Sequence, residues 1–184
     1  MKRFGITISG FGGQGVLFTG YLLAYAAMLA DNYVAWIPSY GAEMRGGTAH
    51  CFVTIAEKEV SSPVVNQPDA LLIFNKPSLI KFEESAKTGA VLLINSSLVD
   101  QEPERTDLNI YKVPANAIAD ELGDSRIANL VMLGALIKAT DIITADNAFK
   151  ALDAILPASK KKLLPLNNEA LKRGLSAINS KLNI

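Results

Sequence analysis

The chain is poor in the residues that build self-contained metal or redox chemistry. It holds one cysteine, Cys51, and one histidine, His50. A lone cysteine excludes an internal disulfide and any iron–sulfur cluster of the usual four-cysteine kind within this chain. One histidine beside one cysteine matches no metal-ligand spacing, so the two read as alternating positions of a strand. A Ser-His-Asp triad would have to be built around His50, and no G-x-S-x-G segment is present. Charge is scarce as well. Lys+Arg and Asp+Glu stand at 18 each, 20% of the chain in all, for a net charge of zero. That balance gives no electrostatic case for a nucleic acid or an anionic membrane as partner. The longest apolar stretch, Val16 to Ala30, contains Thr19, Gly20, Tyr21 and Tyr25. It is shorter than the ~20 residues a bilayer span needs. Lys2 and Arg3 precede no apolar run of the secretory kind, so the expected location is the cytoplasm.

What is present suffices for a sizeable core. The 184 residues are 49% hydrophobic, and they carry no repeats, low-complexity segments or internal linker, which predicts one domain over 1–184. Phe4 to Ser9 reads as a buried strand, Val16 to Leu29 as a helix apolar on most faces, and Tyr33 to Pro38 as a second strand. Strand, glycine turn, helix, strand is a βαβ unit. Further strands are expected at Ala49–Ala56, with a short return from Val60, and at Ala70–Phe74, Ala90–Ile94 and Asn109–Val113. Helices are expected after Lys76 up to Gly89, from a cap at Asn116, over Ile127–Lys138, from a cap at Thr144 to Ile155, and over Asn167–Asn179. The fold class is therefore α/β: a Rossmann-like three-layer fold with a mostly parallel sheet, helices on both faces, and an antiparallel insertion after strand two. Asp69, Glu83 and Glu84 show no convincing partner.

Two loops carry the functional signal. Gly10-Phe11-Gly12-Gly13-Gln14-Gly15 contains a G-x-G-x-x-G spacing between a strand and a helix, the context that gives that spacing meaning. Helix-start amides there suit a phosphate or carboxylate. The same glycines also suit plain helix–strand packing or a partner's backbone. Dinucleotide binding would need an acid at the end of the second strand. That strand ends Ile37-Pro38-Ser39, and Asp31 lies before it. The Lys-Ser/Thr of a nucleotide-hydrolysing P-loop is missing too. The second loop, Ser39 to Thr48, should emerge at the same sheet edge. It carries Tyr40, Glu43 and Arg45, then Gly46 and Gly47. Arg45 offers a planar fork for a carboxylate or phosphate, and Glu43 would orient it. A solvated loop with a local Glu–Arg pair is the plain alternative.

Together, Gly10-Phe11-Gly12-Gly13-Gln14-Gly15-Val16 and Ser39-Tyr40-Gly41-Ala42-Glu43-Met44-Arg45-Gly46-Gly47 resemble the gamma subunit of 2-oxoacid:ferredoxin oxidoreductases, with the 2-oxoglutarate type nearer than the pyruvate type. Ser61-Ser62-Pro63 and Gln67-Pro68-Asp69 also sit where that family would place them. The small subunit of indolepyruvate oxidoreductases shares the first motif and differs in the second; a free-standing nucleotide-binding protein is the remaining alternative. The resemblance implies a subunit without catalysis of its own. It would serve a complex that oxidatively decarboxylates a 2-oxoacid with coenzyme A and passes electrons to ferredoxin or flavodoxin. Thiamine diphosphate, magnesium and iron–sulfur clusters would be held by alpha and beta subunits and a ferredoxin-like delta subunit. This chain would bind no cofactor alone and, isolated, would self-associate through surface meant for partners. Gly12, Gly13, Gln14, Gly15, Tyr40, Glu43, Arg45, Gly46 and Gly47 would form the face toward the partners or coenzyme A.

Overall fold

The computed structural model describes residues 3–40 and 47–178, Tyr40 by its backbone only. Strand β1 (Phe4–Phe11) leads through the glycine loop into helix α1 (Val16–Met28), then β2 (Tyr33–Tyr40) and β3 (Thr48–Ala56). Next come β4 (Ala70–Ile73), α2 (Lys76–Phe82), β5 (Val91–Asn95), β6 (Asn109–Val113) and α3 (Ala115–Glu121). Helices α4 (Ala128–Thr140), α5 (Ala145–Ile155) and α6 (Leu164–Ser176) follow.

The six strands lie in the order β2-β3-β1-β4-β5-β6. Strands β1, β4, β5 and β6 are parallel, while β3 runs antiparallel to both β1 and β2. The expected antiparallel insertion is thus β3 itself, wedged between the two strands of the first βαβ unit. Cys51, Val53 and Ile55 alternate along it and are fully buried. The return strand expected from Val60 does not form. Residues 57–69 contain Glu57, Glu59, Ser61, Ser62 and Pro63, which supply no apolar alternation and, at Pro63, no donor.

The sheet's two faces divide its buried residues by the period of two. On β4, Ala70 and Leu72 join the larger core, while Leu71 and Ile73 join the smaller; on β5, Leu93 lies with the first group and Leu92 and Ile94 with the second. Helices cover both faces unequally. Residues of α1, α3, α4, α5 and α6 share the larger core, and Leu79 of α2 belongs to the smaller.

Three helix boundaries differ from expectation. The helix after Lys76 ends at Phe82 with a single 3-10 turn, Glu83–Ser85, well before Gly89. Arg105 intercepts it: its guanidinium donates to the Ala86 carbonyl at 2.7 Å and to those of Glu83 and Glu84 at 3.4 Å, the work a further turn would have done. Glu83, expected to lack a partner, is buried and accepts the Arg105 amide at 2.8 Å. Asp69 is likewise engaged, accepting the Gly5 amide at 2.8 Å and pairing with Lys87 at 2.5 Å. Asn116 does not cap α3, whose N-cap position is Pro114; its carboxamide oxygen accepts from Asn95 at 2.8 Å. Helix α6 begins at Leu164, earlier than Asn167, with Pro165 in its first turn, where a missing N–H costs nothing. The cap at Thr144 forms as expected, its hydroxyl accepting the Asn147 amide at 3.2 Å.

Candidate functional site

The glycine loop closes the carboxyl edge of β1. Three of its glycines have separate physical reasons. Gly10 is a packing position, since a Cβ there would sit 2.8 Å from the Cβ of Phe74 and 2.9 Å from Val16. Gly15 is the N-cap of α1 at φ 76°, and a Cβ there would strike the Asn129 carboxamide at 2.6 Å. Gly13, at φ 99°, has nothing within 4 Å of such a Cβ and faces open space. A side chain is excluded at Gly13 by backbone conformation, and the bare peptide is left accessible.

Gln14 turns inward. Its carboxamide oxygen accepts the Phe11 amide at 2.6 Å, and its NH2 group donates to the Phe74 carbonyl at 3.5 Å. It ties the loop to the end of β4. The Gly12 amide donates to the Gly47 carbonyl at 2.9 Å, one step beyond the Phe11–Thr48 pair of the β1–β3 ladder. That bond joins the two loops at one edge. Tyr40 ends β2 opposite Ala49, and Gly47 directly precedes β3. Glu43, Arg45 and Gly46 lie outside the described residues.

Beside the loop runs a groove of about 330 Å3 between Phe11 and Ala49 on one side and the first turn of α1 through Phe18 on the other, with Gly12 and Gly13 on its wall. The first-turn amides of α1 have no intrahelical partners, and Gly15 has no side chain to cap them. The arrangement suits an oxyanion or another chain's carbonyl groups. A larger depression, about 520 Å3, lies at the opposite edge, but its charged groups are already spent: Arg3 on the carbonyls of Ser62 and Val64, and Asp69 on Lys87.

The family model for pyruvate ferredoxin/flavodoxin oxidoreductase matches residues 5–177. The chain belongs to that family. It is 38% identical to the 2-oxoglutarate synthase subunit KorC of Methanocaldococcus jannaschii, covering 86% of this chain and 87% of KorC. It is 37% identical to the ketoisovalerate oxidoreductase subunit VorA of Methanothermobacter marburgensis, over 92% of this chain. The chain spans only about a third of VorA, 35% of its length. In structure it is similar to the gamma subunit of a keto/oxoacid ferredoxin oxidoreductase from Geobacter sulfurreducens, with a TM-score of 0.85 and 30% identity over 96% of this chain and 97% of that one.

Within this family frame the dinucleotide alternative loses its geometry. Asp31 sits at φ 58° in the turn before β2, at the edge away from the glycine loop. Strand β3 occupies the place beside β1 where the second strand of a dinucleotide-binding unit would stand. His50 and Cys51 do alternate on β3. His50 packs edge-on to Phe52 at 5.4 Å and against Phe82 at 5.2 Å. Burial, helped by Lys81, lowers its pKa from the usual value. Cys51 is fully buried, and burial pushes its thiol up to about 12, the wrong direction for a nucleophile or a metal ligand. Among the described residues no three His, Cys, Asp or Glu side chains gather as a metal ion would require. None of the helices among them is long and apolar enough to cross a membrane.

Asn75, Asn129 and Asn167 escaped sequence reasoning. Asn75 caps α2 through the Ser78 amide at 2.9 Å and lies 3.5 Å from Gln14, so it belongs to the loop's support. The one legible signal for Asn129 was a polar residue inside an otherwise apolar helical run.

Proposed function

We propose that the chain is the gamma subunit of a multi-subunit 2-oxoacid:ferredoxin or flavodoxin oxidoreductase. The complex would convert a 2-oxoacid, 2-oxoglutarate first, with coenzyme A to an acyl-CoA and carbon dioxide. The Gly12–Gly47 bond carries this reading, because it ties the glycine loop to the last residue of the second motif. The similarity to KorC over 87% of its length supports the 2-oxoglutarate choice. The pocket for the acid lies in other chains.

An iron–sulfur cluster does not fit the described residues, because the one thiol is buried and held protonated; the clusters, thiamine diphosphate and magnesium all go to other subunits on this reading. They are assigned to alpha, beta and delta partners. On this chain Gly12, Gly13 and Gly15 present backbone to the partner or to a coenzyme A phosphate. Gln14 positions that loop from behind. Tyr40, Glu43, Arg45, Gly46 and Gly47 complete the face. The exposed side chains of Phe18, Tyr21, Met28 and Leu29 on and after α1 suit a surface covered by a partner subunit. The domain over 1–184 works in the cytoplasm as part of that assembly.

Anaerobic pull-down of the tagged chain from its native cells, followed by a panel of 2-oxoacids with a redox dye, tests the proposal. Larger subunits carrying thiamine diphosphate and iron–sulfur absorbance are expected, with 2-oxoglutarate oxidised, and the dye reduced, fastest. Recovery of the chain alone and inactive would overturn it. Arg45→Ala in the assembled complex should lower activity or raise the KM for coenzyme A, and unchanged kinetics would remove Arg45 from the face.

A further inference from the structure

A second cleft, about 230 Å3, opens beside the glycine loop where the amino ends of α1, α4 and α6 converge. Gly15 and Phe18 form one wall, and Asn129 and Asn167 form another. Asn129 is 6% exposed and Asn167 is 8% exposed. Neither carboxamide has a hydrogen-bond partner among the described residues, although buried amides ordinarily find one. Both residues are more than nine-tenths buried, yet their carboxamides line one cleft without a partner among the described residues, so they point to a ligand that engages both.

The field in the cleft favours an anion. Each of the three helices is 13 residues long, with no side-chain cap and no acid in its first turn. Short 3-10 turns lead into α4 and α6 and take up the Ala128 and Leu164 amides, so these two helices contribute mainly their dipoles. Lys160 and Arg126 stand at the rim. Asp124 lines the cleft too, but Arg126 grips both its oxygens, at 2.8 and 2.7 Å, and holds its carboxyl at about 2. Arg126 and Asp124 cancel, and Lys160 leaves the rim one positive charge in excess.

We propose that this cleft binds a phosphoryl group, with Asn129 and Asn167 donating through their NH2 groups and Lys160 neutralising the charge. Carboxamides offer donors without adding charge, which suits an oxyanion already facing helix dipoles. The half-exposed Phe18 ring gives the organic part of a phosphate ester an apolar surface to lie against. The cleft shares Gly15 and Phe18 with the face assigned above, and its test uses the chain alone, so its failure is distinguishable from failure of the 2-oxoacid reading.

The test is NMR titration of the full chain with inorganic phosphate and with AMP, each against sodium chloride at equal ionic strength. Either phosphate should shift the Asn129 and Asn167 carboxamide resonances, and chloride should not. Tighter binding of AMP than of phosphate would identify an organic ester as the ligand, whereas equal binding would identify the free ion; both support a phosphoryl site. Asn129→Asp and the exposed Lys160→Glu should each weaken binding at least tenfold. Carboxamides unmoved by both phosphates, or Lys160→Glu binding as tightly as the native chain, would overturn the assignment whatever the complex proves to oxidise.

Discussion

The Gln14 carboxamide accepts the backbone amide of Phe11 at 2.6 Å, so the glycine loop is braced from inside by its own polar side chain. Gln14→Ala orphans that partly buried amide and frees the loop from Phe74. The expected loss is about 1–3 kcal/mol in urea unfolding, with faster hydrogen exchange at Phe11 and Gly12. Gln14→Glu keeps the acceptor and loses the donor to Phe74, so it should lie between the two. Exchange at Phe11 unchanged in Gln14→Ala would show that the brace does not hold the loop.

Gly134 of α4 and Gly174 of α6 form a close helix crossing. A Cβ on Gly134 would run into the Leu171 carbonyl and come 2.9 Å from the Leu175 amide; one on Gly174 would run into the Val131 carbonyl and come 2.8 Å from its carbon. Alanine in place of glycine inside a helix normally gains up to about 1 kcal/mol. Here the collision is with backbone, which cannot rotate away, and overpacking costs about 1–3 kcal/mol or more. Gly134→Ala and Gly174→Ala are both expected to lower the urea midpoint, and a rise in either would contradict the crossing.

His50 gives a pH dependence with a defined sign. Its pKa is lowered first by burial and then by Lys81, so the unfolded chain takes the proton first. Stability tied to His50 is full above the ordinary value of 6.5 and falls as the pH drops below it. As the only histidine, it offers a single ring resonance to follow by NMR. Its midpoint should lie below 6.5, and Lys81→Ala should raise it only part of the way. A midpoint at or above that value would refute the assignment.

Cys51 works in the alkaline direction. Its thiol is raised from 9.0 to about 12, so the folded chain holds the proton longer than the unfolded one. The stability linked to it is complete below 9.0 and is lost between there and about 12. Thiol reagents at pH 8 should label the chain only after unfolding. Cys51→Ala should flatten this part of the alkaline decline. Rapid labelling of the folded chain would show that the thiol is reachable.

Local pattern made much of this legible. The strand–glycine–helix opening, the buried strand from Ala70, the Thr144 cap and the apolar helix around Leu133 all follow from residues within a few positions of one another. The two-loop edge was legible for the same reason, since β1 and β2 had to run the same way if a single helix joined them. Helix α2 was misjudged because its end is set by Arg105, far along the chain. Asn116 looked like a cap because nothing nearby competes for it; its actual partner, Asn95, ends another strand.

By itself, then, the sequence determined the alternation of strands and helices, the backbone freedom of the glycine loop and the scarcity of cysteine and histidine, because propensity, periodicity and composition act at short range or need only counting. Tertiary structure alone decided that β3 wedges between β1 and β2, that Gln14 braces its loop from within, and that Asn129 and Asn167 meet at one cleft. Those outcomes depend on ladder hydrogen bonds and close packing between residues distant in the chain, and no local pattern encodes which distant partner will win.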